Sequence, residues 1–179
     1  MISRLTLRLR NEADRLDAFT EALHYAACAA EDGDADAAAE EMFGDPEIIG
    51  NDQCPVMLRW TLMERLGCKV LLHHFLPNGD DPEPHDHPRS FWTIVLGGGY
   101  VDEETFLDGS TATEPMTRGR VRFRPATHMH RTLVGPNGCW TIVVMGPLRR
   151  EWGFYWDEQW WPWKAYLDAR GEAAIRCER

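Results

Sequence analysis

Two regimes of hydrophobic patterning divide this chain near residue 52. Before it, apolar residues fall at helical spacing, first at Leu16, Phe19, Leu23 and Ala26 and then from Ala35 to Phe43, in an alanine- and acid-rich background. Residues three and four apart share one helix face, so each run predicts a helix with a single apolar stripe. Gly33 and Asp45-Pro46 punctuate the runs, and Asp34 or Asp36 is placed to cap the second helix. The expected arrangement is a helical extension over residues 1–52 packed on the outside of the domain that follows.

From Val56 onward the period shortens to that of strands. VMLRWTLMER, a turn at Leu66-Gly67, and CKVLLHHFL read as a hairpin, followed by a Pro/Gly/Asp-rich loop from Pro77 to Pro84. SFWTIVLGGGY, the acidic stretch Val101 to Leu107, RVRFRP, HRTLV and CWTIVVMG continue the series, with turns at Asp108-Gly109 and Gly135 to Gly138. Short strands at this spacing predict an all-β sandwich or barrel over residues 53–179. Gly97, Gly98 and Gly99 interrupt a strong strand and suit a bend at a barrel corner. In RVRFR, alternation puts Val121 and Phe123 inward and Arg120, Arg122 and Arg124 outward. The same parity groups Phe91, Thr93 and Val95 on one face.

Composition narrows the partners. With 29 acidic residues against 19 basic ones the net charge is −10, which argues against nucleic acid or an anionic membrane surface. No apolar run approaches the roughly 20 residues that span a bilayer. The opening MISRLTLRLRNEADR lacks the apolar stretch of a signal peptide, so the expected location is the cytoplasm. Cys28, Cys54, Cys68, Cys139 and Cys177 are odd in number and contain no Cys-x-x-Cys pair, as expected of reduced thiols.

The chemistry is concentrated in two segments. GDDPEPHDHPRSFWTIVLGG matches the first cupin pattern, Gly-x5-His-x-His with a later Glu-x6-Gly, at Gly79, His85, His87 and Gly98. Phe91 stands where that pattern usually has glutamate. GRVRFRPATHMH matches the second, Gly-x5-Pro-x-Gly-x2-His-x3-Asn, at Gly119, Pro125 and His130, and departs from it at Thr127 and Val134. Residues two apart on an extended segment point the same way, so His85 and His87 can reach one ion, with His130 as the third ligand. The run from Met57 to Tyr166 resembles a small group of bacterial and phage cupin-like proteins. That resemblance implies a cupin barrel with a metal site and leaves the substrate open.

Three neutral imidazoles leave a divalent ion its full charge and several open positions for a bidentate substrate, dioxygen or water. The site resembles that of the three-histidine cupins, which include thiol and β-diketone-cleaving dioxygenases. The expected function is a mononuclear Fe(II) dioxygenase acting on a small thiol, diketone or enolisable acid. The alternatives are a Lewis-acid isomerase, decarboxylase or hydrolase using zinc, manganese or nickel, and a non-catalytic cupin that binds a small ligand.

Other residues have both a pocket reading and a plain structural one. His128, Tyr100 and Tyr155 are candidate proton or hydrogen-bond donors, with His128 ranked below His130 as a ligand. His73 and His74 have opposite parity, so one faces the cavity, and the pattern does not say which. Arg131, Arg149 and Arg150 have the geometry to clamp a carboxylate; Arg131 follows a ligand on a strand and is expected to face away. EWGFYWDEQWWPWKAY holds five of the eight tryptophans. It is read as packing against the sheet or a second subunit, or else as placing Phe154, Tyr155 or Trp156 at the barrel mouth. A homodimer and a small-molecule substrate are the expected partners.

Overall fold

A glycine-bent pair of long strands organises the fold. The computed structural model describes residues 35–51, 54–77 and 83–170; the helix predicted at 16–26 and Gly79 lie outside them. The described elements run α1 (Ala35–Phe43), β1 (Glu47–Asn51), β2 (Cys54–Arg65), β3 (Cys68–Phe75), β4 (Phe91–Thr105), β5 (Thr111–Thr117), β6 (Val121–Arg124), β7 (His130–Met145), β8 (Gly153–Trp156), β9 (Gln159–Pro162) and α2 (Trp163–Arg170). Every strand pair is antiparallel. Residues 47–51, grouped by sequence with the helical extension, form an edge strand on β2. Among the described residues no helix is long and apolar enough to cross a membrane.

The first half of β4 pairs with β6 and with the second half of β7, which continues through β3 and β2 to β1. The second half of β4 pairs with β5 and with the first half of β7. The register slips between Val95 and Gly97 and again between Gly98 and Tyr100, so the glycines bend both strands within the seven-stranded sheet. Gly98 has φ +66°, and a Cβ there would stand 2.2 Å from the Gly138 carbonyl oxygen; only glycine allows this approach.

Alternation along β3 separates two apolar layers. Val70 and Leu72 join Trp60, Trp140 and Ile142 in one cluster with Ala39 and Phe43 of α1. Trp60 donates to the Gly44 carbonyl at 2.8 Å, tying the helix end to β2. Leu71, on the opposite face, packs with Phe91 and Val143 toward the interior.

The RVRFR segment corrects the expected parity. Val121 and Phe123 are 48% and 47% exposed, and Phe123 packs on the outward Trp92. Arg124 pairs with Phe91, and Arg122 with Thr93, on the inner face of β4. There the two arginines meet Glu114 of β5, and Arg124 also meets Asp102 of β4. An alternating pattern reads the same from either face, and here the buried carboxylate of Asp102 and the half-buried one of Glu114 reward the polar one.

Candidate metal centre

The chain between β3 and β4 carries His85 and His87 to the end of the barrel, where backbone pairing fixes both. His85 exchanges two hydrogen bonds with His130 at the start of β7, N to O 2.8 Å and 2.9 Å, and the His87 amide donates to the Ala126 carbonyl at 3.0 Å. The intervening Asp86 points the other way and is 2% exposed. It accepts from the Gly153 amide at 2.8 Å and from Trp160 Nε1 at 3.1 Å, and it pairs with Arg150 at 2.6 Å. The aromatic C-terminal hairpin is thereby bolted to the back of the histidine loop, and His85 also bridges to Phe154. Sequence reasoning passed over Asp86, although a residue between two same-facing histidines must face away from both.

Each of His85, His87 and His130 offers a ring nitrogen, and these atoms lie within 4.8 Å of one another. His87 Nε2 and His130 Nε2 are 2.8 Å apart. Nitrogens held about 2.1 Å from one ion would stand roughly 3.0–3.4 Å apart, so small ring rotations bring the set to coordination distance. Burial, and then the neighbouring histidines, hold the pKa of His87 well below its ordinary value. Burial also lowers His130, against the opposing pull of Asp102. Rings that stay unprotonated keep the lone pairs a metal requires. The donor set therefore fits a divalent ion.

Asp102 is the functional residue least visible in the sequence, one acid among several in VDEET. It is 2% exposed and accepts from His130 Nδ1 and from Arg124 Nε at 2.8 Å. Burial by itself would raise its pKa. Hydrogen bonds from His128, His130 and Arg124 outweigh that and hold the carboxyl well below the usual range. An ionised carboxylate only accepts, so His130 carries its proton on Nδ1 and turns the Nε2 lone pair toward His87. Asp102, His128 and His130 form a second group of close donor atoms, but the Arg124 guanidinium already neutralises that carboxylate. The cluster is better suited to orienting His130 than to holding a second cation.

The three histidines open onto a cavity of about 1170 Å³. Phe91, Tyr100 and His73 line it, as do Phe154 and Trp152. Phe91, at the usual glutamate position, stands edge-on to His87 with ring centroids 4.6 Å apart. Burial, and secondarily Asp102, pushes the Tyr100 hydroxyl far above its ordinary range, which suits it to donating a hydrogen bond rather than releasing a proton. Thr93 and Arg149 also line the cavity.

Other candidates lie off the cavity. His74 stacks on Trp140 at 4.3 Å and meets Asp36 at 2.6 Å on the outer face. Arg131 pairs with Glu103 at 2.5 Å. His128 stands behind His130, its Nδ1 3.2 Å from Glu104. Trp156 packs on Trp161 and Tyr166, and Tyr155, beside it on β8, does not reach the lining.

No protein-family signature matches this sequence, and no curated protein sequence is significantly similar to it. Solved structures are similar in fold. A cupin-2 domain protein from Rhodospirillum rubrum aligns over 73% of this chain and 85% of its own, with 14% identity and a TM-score of 0.53. The DMSP lyase DddQ from Ruegeria pomeroyi aligns over 73% and 76%, with 17% identity and a TM-score of 0.52. A further DMSP lyase structure is covered over 63% of each chain, at 14% identity and a TM-score of 0.50. The fold is that of the cupins. Within it, the histidine group makes this a cupin-like fold with a site able to hold a metal.

Proposed function

We propose that the chain is a metalloenzyme that binds one divalent ion, iron(II) foremost, on His85, His87 and His130, and that it oxygenates a small acid, thiol or diketone. The observation that carries this reading is a convergent three-imidazole set with no carboxylate among its donors, opening into a chamber walled by Phe91, Leu71 and Val143. When bound, such an ion supplies open positions for substrate and, as iron(II), electrons for dioxygen chemistry. The protein's own part is to orient the ligands through Asp102, exclude water with the apolar wall, and offer a hydrogen bond from Tyr100.

Charge around the opening supports an anionic substrate. Of the five cationic side chains on the lining, Arg59, Lys69 and Arg150 are compensated by Glu47, Glu64 and Asp86, which leaves Arg89 and Arg149, with Glu151 nearby, as the cations available to an anionic ligand. Arg89 is held by two neutral carbonyls, those of Gly67 and Gly146. A positive rim draws anions toward the chamber.

A second reading uses zinc, manganese or nickel as a Lewis acid for isomerisation, decarboxylation or hydrolysis. The same absence of a carboxylate donor favours it, because the ion's charge is left undiminished. Metal analysis of untagged protein, alongside His85→Ala and His130→Ala, tests the shared premise: both variants lose stoichiometric metal. Metal retained in both refutes it. Oxygen uptake with a panel of small acids, thiols and diketones then separates the two readings, and uptake with none of them removes the oxygenase. We also propose a homodimer. The exposed outer stripe of Trp92, Val121 and Phe123 supports it, and sedimentation checks it.

A further inference from the structure

On the wall of the cavity, β3 and β7 place His73 and Thr141 side by side as register partners. They are 7% and 0% exposed, and both line the chamber. His73 Nε2 and Thr141 Oγ1 are each fully buried without a hydrogen-bond partner. Buried polar atoms are almost always satisfied, so two orphans on register-paired residues of the chamber wall mark a place that something else completes.

We propose that His73 and Thr141 form a polar subsite that binds an uncharged hydrogen-bonding group, a hydroxyl or carbonyl, at the far end of the molecule held by the three-histidine centre. This rests on the metal reading above and adds the shape of the substrate to it. Burial, with Arg59 adding to it, lowers the His73 pKa to about 3, so the ring is neutral and offers one donor and one acceptor. The threonine hydroxyl does both. Neither side chain compensates an ionic tail, and Arg59, the register neighbour of His73 on β2, is committed to Glu47 through contacts of 2.7 Å and 3.0 Å.

The wall between the two sites is apolar. From Thr141, β7 runs through Val143 to Met145, which pairs with Phe91, and Phe91 packs on His87. Leu71, Phe91 and Val143 form one buried cluster along this path. The matching ligand has a chelating head, a short hydrocarbon middle and a neutral polar tail.

The span of four strand residues is about 13 Å, so the probes are hydroxamates of about four to eight carbons, ending either in methyl or in a terminal hydroxyl. Each is titrated calorimetrically into the zinc-loaded full-length protein and its His73→Leu and Thr141→Val variants, after metal content and melting temperature have been measured. At one chain length the hydroxyl probe binds about 10-fold more tightly than its methyl counterpart in the wild type, the worth of one good neutral hydrogen bond. Each substitution collapses that ratio. Equal affinities at every length, or a preference that survives both substitutions, overturns the proposal. A protein that takes up no zinc defeats the metal reading instead. The subsite is then read in the metal-free protein from the ¹⁵N resonances of the His73 ring on adding 1,5-pentanediol: a shift diminished in Thr141→Val upholds it, and no shift overturns it.

Discussion

Replacing Asp102 by asparagine should cost the centre its metal without changing any ligand. The side chain keeps its volume but exchanges one accepting oxygen for an NH₂ donor, while both its main partners, Arg124 and the Nδ1–H of His130, are donors themselves. Arg124 carries a permanent charge and retains the remaining oxygen. The amide NH₂ then faces His130 and forces the ring into the tautomer with its proton on Nε2, the atom that faces His87. Losing a partner that orients a ligand histidine costs about 10- to 100-fold in metal affinity, equivalent to about 1.4–2.7 kcal/mol. Competition against a chromogenic zinc chelator at neutral pH measures the affinity, and long-range ¹⁵N spectra of the imidazole rings report the tautomer. The reasoning is refuted if Asp102→Asn binds zinc within about twofold of the wild type while His130 keeps its proton on Nδ1.

Two predictions concern the scaffold. Glu114 accepts from Arg120 at 2.6 Å, Arg122 at 2.5 Å and Arg124 at 2.9 Å, and these bonds lower its pKa from 4.5 to about 2. Because the folded value is depressed, the stabilisation is present above pH 4.5 and fades as the pH falls toward 2; Glu114→Gln should lose about 1 kcal/mol at neutral pH, in keeping with a partly exposed cluster, and match the wild type near the acid end in denaturant titrations. Gly98→Ala sets a Cβ 2.2 Å from the Gly138 carbonyl oxygen at φ +66° and should cost about 3 kcal/mol or more, whereas Gly135→Ala meets nothing within 4 Å and should stay within about 0.5 kcal/mol by thermal unfolding.

Local rules reached a long way into this chain. Helical spacing picked out α1, strand period and turn residues located the sheet, and the glycine triplet marked the corner. The two motif spacings brought His85, His87 and His130 forward as a set, because backbone geometry decides which neighbouring residues share a face. Alternation could say that His73 and His74 point in opposite directions, and that Val121 and Phe123 oppose Arg122 and Arg124, but not which of each pair turns inward. That choice belongs to what lies across the barrel: Trp140 and α1 claim His74, and the carboxylates of Asp102 and Glu114 draw the arginines in. Asp102 itself sits 28 positions from His130 along the chain, in a stretch where every neighbouring acid looks alike. Only the pairing of β4 with β7 brings its carboxylate to the ring, because a buried charge finds its partners through space and leaves no period in the sequence.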